Sequence, residues 1–104
     1  MVDMVKSPPH YHQEGRAECI VEIRSALGLL GYVYHCLGTV HKYLYRAGNK
    51  ENNPRTQDLA KARRYLEYAS DGIIDMGAHW DSIADIKSVA QLYNNYQKEL
   101  AKYD

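Results

Sequence analysis

The chain has no phenylalanine, one tryptophan, two cysteines, three prolines and no net charge, with 13 Lys plus Arg against 13 Asp plus Glu over 104 residues. Each shortage excludes something. A neutral chain lacks the summed field that draws proteins onto nucleic acid or anionic lipid, which argues against both partners. No apolar run approaches the roughly 20 residues that span a bilayer, and the opening Met-Val-Asp-Met-Val-Lys does not read as a signal peptide. Two cysteines in apolar stretches, Cys19 and Cys36, make no disulfide framework and point to packed thiols in a reducing cytoplasm. Neither Gly-x-x-x-x-Gly-Lys-Ser/Thr nor Gly-x-Gly-x-x-Gly occurs, so the two familiar phosphate cradles are absent.

What is present is helical. The Pro8-Pro9 pair in a polar leader reads as an extended arm over residues 1–16. Ile20, Ile23, Leu27 and Leu30 recur at steps of three and four, predicting a first helix from about Ala17 to Leu30 that ends at Gly28 or Gly31. Val33, Leu37, Val40, Leu44 and Ala47 form the stripe of a second helix, with Gly48 as a left-handed cap. Leu59, Ala62, Leu66, Ala69, Ile73 and Met76 make a heptad seam for a third, capped by Asn53 or Thr56 and broken by Gly77. A fourth begins at Asp81 or Ser82 and carries Ile86, Val89, Tyr93, Tyr96, Leu100 and Tyr103. The expectation is an all-α bundle of about four helices: arm 1–16, core 17–80, C-terminal helix 81–104. Ten tyrosines, each an apolar ring with a polar tip, suit half-buried surfaces and interfaces. They suggest a homo-oligomer, although the C-terminal seam could equally close its own bundle.

Charge is segregated along the chain. Residues 41–64 hold seven basic side chains against two acidic, whereas 65–85 hold five acids and neither Lys nor Arg. Such blocks are most often solvated faces of opposite sign. The sharper reading is an anion pocket. His35, Thr39, Lys42 and Arg46 fall within roughly 60° of one another around the second helix at about 100° per residue. Lys50 follows just past Gly48, so the five residues together could clamp a phosphate. In the arm, His10 and Tyr11 could hold or stack on a base. Acid pairs at i, i+4 (Glu18/Glu22, Asp71/Asp75, Asp81/Asp85) repel one another, and a magnesium ion is one way to offset that.

Four segments in order carry a resemblance: Pro8-Pro9-His10-Tyr11; Glu18-Cys19-Ile20; the run from Cys36 through Lys42-Tyr43-Leu44-Tyr45-Arg46-Ala47-Gly48-Asn49-Lys50; and Asp58-Leu59-Ala60-Lys61-Ala62 through Tyr65-Leu66. Over about residues 8–67 the chain resembles the small phage nucleotide-kinase-like family, typified by a deoxynucleoside monophosphate kinase. Thr39 departs from that pattern where an Asn is expected, and His41 where a small or apolar residue is usual. The resemblance implies oligomeric assembly in an infected host cell and binding of nucleoside phosphates without a P-loop, with Lys42, Arg46 and Lys50 on the phosphates. Three functions stay open: a P-loop-less nucleoside monophosphate kinase, a non-catalytic protein that sequesters a nucleotide signal, and an all-helical nucleoside triphosphate pyrophosphohydrolase.

Overall fold

A computed structural model of the chain describes residues 18–49, 55–79 and 81–104. These form three helices: α1 (Cys19–Asn49), α2 (Arg55–Ala78) and α3 (Ile83–Ala101). The all-α expectation holds, and the described residues contain no strand. None of the helices is long and apolar enough to cross a membrane. The arm, Lys50 and the Asn53 cap lie outside the described residues.

The count is three rather than about four because Gly28 bends the chain without ending the helix. Its φ of 74° and ψ of 173° are non-helical, yet helix resumes directly on either side, so the two expected N-terminal helices join across a kink. Only glycine adopts this combination readily. Gly48 and Gly77, expected as a cap and a breaker, both lie inside helices. At Gly48 the reason is visible: Arg55 Nε donates to the carbonyl of Ala47 at 3.2 Å, so a side chain satisfies an end carbonyl that a left-handed glycine would otherwise serve. The last helix starts as expected, with Ser82 Oγ accepting from the Asp85 N–H at 3.4 Å.

The stripes predicted for the second and third helices supply most of the core, whereas Leu27 of the first stripe and Tyr103 of the last are exposed. Val33, Leu37, Val40 and Ala47 of α1 meet Leu59, Ala62, Leu66, Ala69 and Met76 of α2, and α3 adds Val89 and Leu100. Tyr93 and Tyr96 are half-buried against this core, so the Tyr-rich seam closes its own bundle. Tyr96 is further fixed by a 2.9 Å hydrogen bond to His41 Nδ1, which ties α3 to α1. Cys36 is packed and its thiol is pushed up to about 12, chiefly by burial, so it stays protonated near neutral pH. Cys19, also expected to pack, is exposed, since its helical segment precedes the Gly28 kink and contributes no buried residue.

Contacts between α1 and α2 run in opposite senses along the two helices. Ala47 meets Arg55, Arg46 meets Asp58, Tyr43 meets Tyr65, and Arg24 pairs with Asp75 at 2.5 Å. A tight contact lies at Gly72, where a Cβ would lie 2.6 Å from Val33 Cγ2 and 3.2 Å from the Tyr32 ring. Two substitutions separate the mechanisms. Gly72→Ala should overpack this contact and cost about 1–3 kcal/mol. Gly28→Ala meets nothing within 4 Å, so any loss there is backbone strain, also on the order of 1–3 kcal/mol. Each should lower the melting temperature by several degrees in a calorimetric scan, and an unchanged value would refute the corresponding constraint.

Candidate functional site

The last turns of α1 and the first turns of α2 come together at one end of the bundle. Tyr43, half-buried, is the hub. Lys42 Nζ lies 4.6 Å from its ring centroid, Lys61 Nζ 5.5 Å and the Arg46 guanidinium carbon 5.6 Å. An aromatic face attracts cations through its quadrupole, by about 0.5–1 kcal/mol each at exposed sites. The ring is itself backed by Tyr65, with centroids 6.2 Å apart and planes tilted by 32°, and Tyr65 stands edge-on to Tyr68 at 5.4 Å. The aromatic stack thus fixes where the three cations gather.

Beneath them sits Asp58, whose side chain is only 4% exposed. Its nearest cation is Arg46, with Nε 3.8 Å from Oδ1, which is too long for a hydrogen bond. Arg46 Nε and Asp58 Oδ2 are buried and have no hydrogen-bond partner among the described residues. Buried polar atoms left unbonded cost roughly 1–3 kcal/mol each, so the pair is poorly made for stability alone. Chemically, the site offers three cations, two aromatic rings and one acceptor-only carboxylate in a small space.

Of the residues expected from sequence, Lys42 and Arg46 are here. His35 sits deeper, half-buried and edge-on to Tyr65 at 6.5 Å. Thr39 spends its proton on its own helix, donating to the His35 carbonyl at 2.9 Å. His10, Tyr11 and Lys50 lie outside the described residues. Sequence reasoning missed Tyr43, Tyr65, Asp58 and Lys61 as members of the site. The basic run and the Lys-Tyr-x-x-Arg spacing contained all of them but Tyr65, and only the register between helices shows which meet.

The other charged features are weaker. Asp75, one of the acid-pair residues, is taken by Arg24. Among the described residues, no group of three or more His, Cys, Asp or Glu is arranged to hold a metal ion. A shallow groove of about 420 Å³ separates α2 from α3 over Leu66, Tyr93 and Leu100, but its Arg63 is paired with Asp104 at 2.8 Å.

Comparison with known proteins corrects the resemblance drawn from the sequence. A family model described as a protein of unknown function, DUF3310, matches residues 5–67, more than half of the chain and nearly the same span. Nothing in that match links the span to a nucleotide-kinase-like family; the shared motifs mark a family whose activity its description leaves open. No curated protein and no solved structure matches. The chain belongs to the DUF3310 family of proteins of unknown function.

Proposed function

We propose that this protein binds a nucleoside phosphate at the cations gathered around Tyr43, and that it does so as a cytoplasmic homo-oligomer. The observation that carries the reading is the convergence of Lys42, Arg46 and Lys61 on one ring. Three like charges held within 6 Å of one ring centroid repel one another, and less so once salt screens them. A phosphate chain relieves that repulsion for all three at once, with Arg46 supplying a planar fork and the lysines point charges. The adjoining tyrosines supply apolar and π surface of the kind that holds a base, which an inorganic anion would not use. Transfer of a phosphoryl group would further require a second nucleotide held in line with the first.

The test uses the two lysines, because neither has a buried polar atom that depends on it. A Lys42→Gln/Lys61→Gln double variant should lose at least about tenfold in affinity for the nucleoside triphosphate that most raises the melting temperature of the parent protein. Its own melting temperature should stay within a few degrees, since exposed charges contribute little to stability. Unchanged affinity by calorimetric titration would remove the site. Arg46→Ala is the poorer probe. It leaves Asp58 buried without a counterion, so it should weaken binding and also unfold at lower temperature. Both effects should be smaller in Arg46→Lys.

Self-association is supported by a second set of residues. Val21, Leu27, Ile74 and Ile83 are large and apolar yet between 53% and 70% exposed, an arrangement that a neighbouring copy would cover. Light scattering at micromolar concentration should give a mass that is a multiple of 12.0 kDa. A monomer would contradict the assembly and leave the nucleotide reading standing.

A further inference from the structure

The cations explain attraction to any anion; they do not explain why a carboxylate lies buried beside Arg46. Asp58 sits in the first turn of α2, where a negative charge favours the helix N-terminus, but an exposed carboxylate would serve that purpose equally. Burial instead costs desolvation. It also places a negative charge next to Arg46, where it must weaken phosphate binding. The group is not compensated by good geometry, since Arg46 Nε stands off at 3.8 Å and Oδ2 bonds to no described residue. Nor does Arg46 seal it tightly: the arginine side chain is 38% exposed and leans on Tyr43 at 5.6 Å. Arg46 is thus loosely held beside a carboxylate whose Oδ2 no described residue uses.

We propose that Asp58 is the specificity-determining residue of this site. When Arg46 turns to the phosphates, the Asp58 carboxylate accepts a hydrogen bond from an N–H or O–H of the nucleoside, on its base edge or sugar. The inference rests on the nucleotide reading above and narrows it: the ligand class is one that presents a hydrogen-bond donor beside its phosphate chain, and bare polyphosphate is excluded. The physical basis is that an ionised carboxylate offers only acceptors, and that such a group in a poorly solvated place rewards a donor strongly and penalises its absence.

Asp58→Asn tests this, because it keeps the shape while removing the charge and one acceptor. Calorimetric titrations would compare inorganic tripolyphosphate with the four ribonucleoside triphosphates on the parent protein and the variant, with melting temperature recorded for each. The expected result is a split. Tripolyphosphate affinity stays level or rises severalfold as the negative charge goes, while the preferred nucleoside triphosphate loses about tenfold or more, the effect of one charge-assisted hydrogen bond. Equal rises would mean that Asp58 acts only through its charge, and equal falls that it only shapes the site; either overturns the proposal. Arg46→Lys serves as the second variant, since it keeps a counterion over Asp58. It should weaken both ligands by a common factor and leave the nucleoside preference intact, and loss of that preference would also overturn the proposal. A parent protein that binds tripolyphosphate and nucleotides equally removes this inference alone. One that binds neither removes the nucleotide reading and this inference together.

Discussion

At Gly72, α2 lies so close to α1 that any side chain larger than hydrogen would strike Val33 and the Tyr32 ring. That contact fixes the register of the two longest helices. Running outward from it in one direction, the apolar stripes interlock through Leu37, Val40, Leu66 and Ala62, and Tyr43 arrives beside Tyr65. Running the other way, Arg24 arrives beside Asp75. A shift of a single residue along either helix would rotate its partner by about 100° and send Arg46 and Asp58 to different faces. The site therefore depends on a packing constraint located several turns away from it.

The energetics of the two ends differ. At the Arg24 end, opposite charges meet directly in a half-exposed pair that contributes modestly, as such pairs do. At the Tyr43 end, like charges are drawn together by an aromatic ring and only partly offset by a buried acid. Two buried polar atoms are left without partners among the described residues. A protein selected for stability alone would do better with apolar residues at Arg46 and Asp58. Local violations of good packing chemistry of this kind concentrate where a surface is kept ready for a ligand.

Much of the fold was legible in the sequence because amphipathic periodicity is a local property. The stripes over 33–47 and 59–76, the Ser82 start and the buried Val89 and Leu100 all follow from spacings of three and four. Glycine was read less well. Gly28 was correctly marked as a break, but a kink and a terminus leave the same trace, and Gly48 and Gly77 are tolerated inside helices whose ends are served by other groups. The site was half legible. Lys42 and Arg46 share a helix face and could be grouped from spacing alone. Tyr43, Asp58 and Lys61 could not, since their meeting depends on how far apart and in what register two helices pack. Thr39 lies on the predicted face but turns its proton back to the helix, a choice that face geometry does not reveal. The motif run over residues 8–67 did mark a real family, one whose description leaves its activity open.

Chemical-shift mapping bears most directly on the central claim, that the ring of Tyr43 gathers its cations for a nucleoside phosphate. A 104-residue chain is well suited to it. With assigned amide and tyrosine-ring resonances, titration with nucleoside triphosphates should move Lys42, Tyr43, Arg46, Asp58, Lys61 and Tyr65 together, with one common saturation curve. Resonances near Arg24 and Asp75, at the far end, should stay in place. Shifts concentrated at the α2–α3 groove or at the acidic end, or no shifts at millimolar ligand, would contradict it.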